Sequence, residues 1–511
     1  MLRKVFAFTA LMLAPAQASA AWHEAKSEHF VIFGDARESE IRRFAERLER
    51  IDAAIRLFRT MDDPPLTDSN KLTIFMLTNQ ESIAKLHGSN LVAGFYIPRV
   101  SGAVAFVPRK AGSAEWELSS ESIFIHEYAH HLQFQDTSVA LPEWLVEGFA
   151  EFFATAKVRP DGSVDIGLPP QHRGFTLLNT SRQMPVEQLL AGRVTRTDEE
   201  QVDLFYGRSW ALTHYLTFAS DRAGQVSRYL TGMQSGQEPL LAAKNAFGDL
   251  TRLDRELTQY IRTNVPGQRV HARVLTVGDI RTRQLRDGEA AIMDVRIRSS
   301  RGVNEKTAPG VAAEARKVAA SYPLDAAVQA ALAEAEFDTK DYKASEAASD
   351  RALAADPKSV GAMIYKGRSQ SEQAKASKQQ NVDWAAIRAW FTRANKVDVE
   401  APEPLYRFYE TYIDEGAKPP PGAVDALLYS AVLVPQDRSL RFAAVQQLLF
   451  DNKIQQAREW FAPIAFAPHS SKKWRESAEK VMEAMGKGDG KAALSLIEQS
   501  SRAEDDETGS D

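Results

Sequence analysis

Cysteine is absent from this chain of 511 residues. Its absence excludes disulfide bonds and thiolate zinc sites. It also leaves no residue for a lipid anchor attached to a cysteine thiol. The fold must therefore be stabilised by packing.

Two other features are missing. The chain has no long basic run, and its formal net charge is −5. Beyond the first 20 residues it also has no apolar run of about 20 residues, the length that crosses a bilayer. The sequence therefore indicates neither a nucleic-acid partner nor a membrane span.

Residues 1–20 have the three parts of a secretory signal peptide. Arg3 and Lys4 precede an apolar core from Val5 to Leu13, and the segment ends in the A-x-A cleavage site of Ala18-Ser19-Ala20. We expect cleavage near Ala20 and export to the periplasm or the medium. The lack of disulfides fits a bacterial periplasm or a secreted product.

Residues 21–265 combine strand and helix signals and predict an α+β domain. Short β-branched or aromatic runs predict strands at His29–Phe33, Lys71–Leu77 and Gly102–Val107. Apolar residues at steps of three and four predict an amphipathic helix at Glu38–Arg59, and helical patterns run from Trp116 to about residue 264. Residues 266–310 are polar and mixed, and we interpret them as a connector, with a further strand at Ala290–Ile297.

Residues 311–500 are rich in alanine and show a period. Pro323 and Pro357 are 34 residues apart, as are Ala333 and Gly367, at a position where paired helices touch. The segment Asp341–Pro357 resembles the second helix of a tetratricopeptide repeat, whose period is 34 residues. We expect an all-α repeat domain that folds separately from residues 21–265, followed by a disordered acidic tail at residues 501–511.

The sequence HEYAH begins at His126. On a helix, His126 and His130 lie four residues apart on one face, so both imidazoles can bind one metal ion. Glu127 lies beside them, displaced toward the open coordination position. This H-E-x-x-H pattern is that of zinc metallopeptidases.

A catalytic zinc ion takes three protein ligands, so a third ligand is expected from a second helix. The sequence from Leu141 to Glu151 provides one, because Pro142 fits a first turn and Glu147 and Glu151 share a face. Gly148 costs a helix about 1 kcal/mol relative to alanine. We expect a close approach to the first helix at this glycine.

HEYAH, followed after 16 residues by the glutamate of WLVEGFAE, resembles the gluzincins, in particular the bacterial peptidase MA-like proteins. The resemblance covers about residues 22–264. It implies a zincin-like domain, zinc as cofactor, His126, His130 and Glu147 as ligands, and Glu127 as general base. It also implies that Glu151 steadies a ligand histidine by hydrogen bonding. The spacing leaves Glu143 or Glu151 open as the ligand in place of Glu147.

A peptidase also needs a donor for the oxyanion of the tetrahedral intermediate. The segment from Leu204 to Leu216 resembles the helix that carries a catalytic tyrosine in this family, which points to Tyr206, with His214 as the second candidate. A packing role for Tyr206 stays open. We interpret His131 as a solvated residue or as a support to the ligands. The resemblance implies that the strand at Gly102–Val107 is an edge strand that pairs with substrate, and an ordinary sheet strand is the alternative.

These features predict a zinc-dependent peptidase of the cell envelope that acts on a peptide or protein substrate. The helical repeats would serve as a scaffold or bind a protein partner. The alternative is a non-catalytic periplasmic binding protein of the tetratricopeptide type, in which the zinc fold is structural or vestigial. The presence of Glu127 argues against it, because a structural site needs no base.

Overall fold

The computed structural model describes residues 21–508, apart from residues 90–91, 93, 110–118, 137–140, 180–182, 192–198, 264, 378–381 and 466–471. The predicted signal peptide lies outside the described residues. Within the described part of the chain, no helix has both the length and the apolar character needed to cross a membrane.

Two sheets lie in the N-terminal part of the protein. Their strands are β1 (Trp22–Lys26), β2 (Phe30–Asp35), β3 (Leu72–Leu77), β4 (Phe95–Ile97), β5 (Val104–Pro108), β6 (Lys157–Val158), β7 (Val164–Ile166), β8 (Gln268–Val270) and β9 (Arg281–Gln284). The larger sheet has the order β4-β5-β3-β2-β1-β9, and the smaller one has the order β6-β7-β8. In the larger sheet, β2, β3 and β5 run parallel, while β1, β4 and β9 are antiparallel to their neighbours.

Some helices of the N-terminal part cover the two faces of the larger sheet, and others follow its strands in the chain. They are α1 (Glu38–Arg59), α2 (Gln80–His87), α3 (Ser120–Asp136), α4 (Glu143–Ala154), α5 (Gly174–Leu178), α6 (Val186–Leu190), α7 (Glu199–Phe218), α8 (Gln225–Gln234), α9 (Pro239–Phe247), α10 (Leu250–Tyr260), α11 (Asp287–Ala291) and α12 (Met293–Arg301). The amphipathic helix predicted at Glu38–Arg59 is confirmed with these bounds.

The larger sheet is a middle layer, as the side chains of β2 illustrate. Successive residues of a strand point to opposite faces. Phe30 and Ile32 pack in the core formed with α1 and α3. Val31 and Phe33 pack on the other face, against α12. The sheet therefore holds α3, the helix of the HEYAH sequence, at a fixed position.

The segment predicted as a connector is part of this N-terminal fold. Strand β8 pairs with β7, and β9 pairs with β1, so residues 266–310 extend both sheets. The strand predicted at Ala290–Ile297 is wrong, because these residues lie in α11 and α12. Met293 and Ile297, four residues apart, fall on one side of a helix, and both pack against the sheet.

The C-terminal part is a series of helices, here called the helical array. They are α13 (Ala308–Ser321), α14 (Ala326–Asp338), α15 (Tyr342–Ala355), α16 (Val360–Ala376), α17 (Trp384–Val397), α18 (Pro402–Asp414), α19 (Pro421–Leu433), α20 (Arg438–Phe450), α21 (Ile454–Ala465), α22 (Lys472–Gly486) and α23 (Gly490–Thr508). Each helix packs against the next. A Cβ atom on Gly367 would lie 2.6 Å from the ring of Phe391, so this small residue does lie where two helices touch.

The C-terminal part ends in a helix and contacts the N-terminal part. The tail predicted to be disordered from residue 501 continues α23 to Thr508, and residues 509–511 lie outside the described part. Ala493 and Ile497 are buried in a cluster with residues of α20, which anchors α23. The array also contacts the N-terminal part of the protein, since Gln436 donates a hydrogen bond to the backbone of His131 in α3.

Candidate metal centre

Helix α3 places two histidines side by side. The Ser119 hydroxyl accepts a hydrogen bond from the backbone N–H of Ser122 at 3.0 Å, which caps the start of the helix. His126 and His130 follow on one face, as their spacing predicts. Their Nε2 atoms lie 3.2 Å apart.

Helix α4 adds a carboxylate to this pair. Oε2 of Glu147 lies 3.4 Å from Nε2 of His126 and 3.5 Å from Nε2 of His130, and Glu147 is fully buried. Zinc bonds of about 2.0–2.1 Å with tetrahedral angles place ligand atoms about 3.3 Å apart. The three atoms therefore fit a zinc ion, and they are among the groups of described residues that could hold a metal ion.

The charges around the two histidines favour a cation. Burial alone would lower the pKa of His126. The hydrogen bond to Glu147 and the negative charges of Glu151, Glu147 and Glu127 outweigh burial and raise this pKa to about 9. Glu127 itself is partly exposed, unlike the buried Glu147, which fits a side chain that faces the open side of the site.

Glu151 lies behind His126, where the resemblance placed it. Its Oε1 is 3.5 Å from Nδ1 of His126 and accepts a hydrogen bond of 2.9 Å from Arg173. Burial alone would raise the pKa of Glu151, but the hydrogen bond from His172 and the positive charge of Arg173 lower it to about 2. This carboxylate is therefore charged and can orient the His126 ring.

The sequence did not identify His172 and Arg173 as part of the site. Both residues follow strand β7 in the chain. The guanidinium of Arg173 bonds both Glu151 and Asp203. It also lies 5.0 Å from the centre of the Tyr206 ring. Arg173 thus connects α4 to α7. Neither residue has a local sequence signal, since each lies more than 20 positions from the motifs that it supports.

Helix α7 brings Tyr206 to the site. The ring centres of Tyr206 and His126 are 6.0 Å apart, and Tyr206 is partly exposed. The second candidate, His214, lies elsewhere: it is fully buried, with Nδ1 2.9 Å from the hydroxyl of Tyr260 and Nε2 2.9 Å from the backbone oxygen of Gly167. Both of its ring nitrogens are within hydrogen-bonding distance of these buried groups, so His214 is not available as an oxyanion donor.

The close approach expected at Gly148 involves another helix. A Cβ atom at this position would lie 2.8 Å from the backbone carbon of Ser209 and nearer still to its oxygen and to the hydroxyl of Thr213. Ser209 and Thr213 belong to α7 rather than to α3. Gly148 therefore allows the helix of Glu147 to pack directly on the helix of Tyr206.

The strand expected to pair with substrate is also not at the edge. β5 lies between β4 and β3, and β4 is the outermost strand on that side of the sheet among the described residues. Tyr96 of β4 reaches α3, with its hydroxyl 2.9 Å from Nδ1 of His131. His131 is buried rather than solvated, and burial, together with the charges of Arg56 and His29, lowers its pKa to about 3.

A charged cluster lies on the other side of α3. His29 bonds Glu49 at 2.7 Å and Asp63 at 2.8 Å, and the hydroxyl of Tyr128 donates to Asp52 at 2.6 Å. His29, Asp52 and Asp63 could by position hold a metal ion. Arg56, however, lies 2.9 Å from Asp52 and already supplies a positive charge there. The cluster therefore anchors α3 through Tyr128.

No family model and no curated protein matches this chain. Among solved structures, the chain is similar to one described as the functional characterisation of Pseudomonas aeruginosa pilF, with 18% sequence identity and a TM-score of 0.33. The match covers 42% of this chain and 91% of that one. At this TM-score, the likeness shows neither the fold nor the function of this chain.

Proposed function

We propose that this protein is a zinc-dependent peptidase of the gluzincin type that is exported to the periplasm or the medium. One observation carries the proposal: two histidine nitrogens and a carboxylate oxygen lie 3.2–3.5 Å from one another. Glu127 adjoins them on the same helix, and a purely structural metal site has no use for that residue. The chain's own residues His126, His130 and Glu147 would hold the ion.

Each neighbouring side chain has a task in peptide hydrolysis. A zinc ion at this position supplies Lewis acidity, which polarises a substrate carbonyl and lowers the pKa of water. Glu127 accepts the proton of the attacking water and passes it to the leaving amine. Tyr206 donates a hydrogen bond to the oxygen on which negative charge develops. Glu151 keeps the ring of His126 oriented toward the ion.

The outermost strand β4 provides a surface for the substrate. An edge strand has unpaired backbone N–H and C=O groups, to which an extended peptide can add as a further strand. Among the described residues, β4 pairs with β5 on one side only, and its Tyr96 contacts α3 next to the proposed ligand His130. We therefore assign to β4 the substrate-pairing role expected of the strand at Gly102–Val107.

The substitution Glu127→Gln tests the proposal. Glutamine has nearly the same shape but cannot take a proton from water, so we expect full zinc content and a loss of turnover of at least about a hundredfold. Casein and short peptides serve as substrates, and elemental analysis gives the zinc content. Glu143→Gln is the matched control, because Glu143 begins the neighbouring helix and is not among the three ligands. Turnover at the parent rate by the Glu127 variant would refute the proposal.

A non-catalytic binding protein is the alternative. A groove of about 800 Å³ in the helical array, lined by polar residues of α15 and α16 among others, favours the docking of a protein partner. Repeats of the tetratricopeptide type would provide such a surface. A zinc-loaded parent protein that hydrolyses neither casein nor short peptides would support this alternative.

A further inference from the structure

A buried hydrogen bond joins the helical array to the metal-binding helix. Gln436, in the loop between α19 and α20, donates a hydrogen bond from Nε2 to the backbone oxygen of His131 at 3.0 Å. Gln436 is only 9% exposed. His131 directly follows His130, a proposed zinc ligand. The contact joins residues 305 positions apart.

His131 also contacts the larger sheet. Nδ1 of His131 lies 2.9 Å from the hydroxyl of Tyr96, and the two rings meet edge to face with centres 5.7 Å apart. Tyr96 lies in the middle of β4, the strand assigned to the substrate. These contacts connect the array, the metal-binding helix and the edge strand. We call the three residues Gln436, His131 and Tyr96 the His131 junction.

The loop that follows β4 is held by the array as well. The carboxylate of Asp437 accepts a hydrogen bond from the backbone N–H of Val100, and Val100 packs against the buried cluster of α18–α20. The guanidinium of Arg99 donates to the backbone oxygen of Ser299 at 3.2 Å and interacts with the carboxyl group of Glu334 in α14. The array therefore holds the loop after β4 directly and the middle of β4 through His131.

We propose that Gln436 is a positioning residue for the peptidase reaction: through the His131 junction, the docked array holds β4 at the distance from Glu127 that a bound peptide requires. This inference rests on the proposed peptidase function. It gives the array a part in substrate binding inside its own chain, in addition to any partner that it binds. The side chain of Gln436 bonds the backbone of His131, so its effect is exerted through His131 and Tyr96.

The substitution Gln436→Ala in the full-length, zinc-loaded protein tests the inference. A buried hydrogen bond changes an equilibrium by about fivefold. We expect KM for a short peptide to rise by about that factor, while kcat and zinc content stay at the parent values. Amide hydrogen exchange at residues 95–100 should become faster by a similar factor.

Gln447→Ala is the matched control. Gln447 is a buried glutamine of α20, but its hydrogen bonds to Tyr409 and Asp451 stay within the array. We expect parent values of KM and of exchange at residues 95–100 for this variant. Gln436→Met serves as a second variant, because it keeps nearly the volume of the side chain and removes the donor, and it decides the question if Gln436→Ala does not fold.

The inference is overturned if the Gln436 variants keep parent exchange at residues 95–100, or if Gln447→Ala changes that exchange equally. It is also overturned if the Gln436 variants lose zinc, which would show general destabilisation. A parent protein that cleaves no peptide refutes the proposed function instead. In that case hydrogen exchange alone decides whether the junction holds β4.

Discussion

The substitution Gly148→Ala should destabilise the protein, although alanine is the better helix former. A Cβ atom at this position would lie 2.8 Å from the backbone carbon of Ser209. Carbon atoms in favourable contact are about 3.5–4.0 Å apart. Helices α4 and α7 must therefore separate by at least about 0.7 Å, because Thr213 can rotate away but the backbone of Ser209 cannot.

Two opposing effects set the size of the change. Replacing glycine by alanine inside a helix stabilises it by about 1 kcal/mol. Forcing extra volume into a packed core costs about 1–3 kcal/mol, and the upper end applies where the steric clash involves backbone atoms. We expect a net loss of about 1–2 kcal/mol in the free energy of unfolding. The displaced α4 carries Glu147, so zinc affinity should fall as well.

Urea unfolding followed by circular dichroism and tryptophan fluorescence measures the loss, and competition with a chromophoric chelator measures the zinc affinity. Gly310→Ala is the matched control, since Gly310 lies in α13 and a Cβ atom there meets no other atom within 4 Å. The control should be as stable as the parent or more stable, by up to about 1 kcal/mol. If Gly148→Ala were stabilised like the control, the packing argument would be wrong.

Two further predictions concern the ligands and the cluster behind α3. The parent protein should contain about one zinc ion per chain, and His126→Ala and Glu147→Ala should each lose it; undiminished zinc by elemental analysis would remove that residue from the site. Burial alone would lower the pKa of His29, but its bonds to Glu49 and Asp63 and the charge of Asp52 raise it to about 9. This stabilisation is complete below pH 6.5 and is lost as the pH rises to about 9. The free energy of unfolding of the parent, relative to His29→Gln, should fall over this interval; a constant difference would contradict the prediction.

The parts of the site that depend on local spacing could be predicted from the sequence. Residues four apart lie on one face of a helix wherever that helix is placed in the fold. This applies to His126 and His130 on α3 and to Glu147 and Glu151 on α4. Their placement needed only the helical repeat. The structure brings Glu147 to the two histidines and Glu151 to the back of His126.

The rest depends on contacts between distant segments. Nothing near Gly148 identifies α7 as its partner. β4 has only three residues, too few to show a periodic pattern. Gln436 lies in a loop 305 positions from the carbonyl that it binds. The alternation at Ala290–Ile297 resembled a strand, because helices that cover a sheet also carry β-branched residues on their buried side.

The pairing of β1 with β9 determines the order in which the protein can assemble during synthesis. Glu24 and Arg283, which face each other across this pair, are 259 positions apart. Ribosomes add about 5–20 residues per second, so β9 is made roughly 10–50 s after β1. During that time one side of β1 is an exposed edge, which other chains can pair with. Nascent chains stopped before residue 281 should therefore aggregate more readily than chains that include β9.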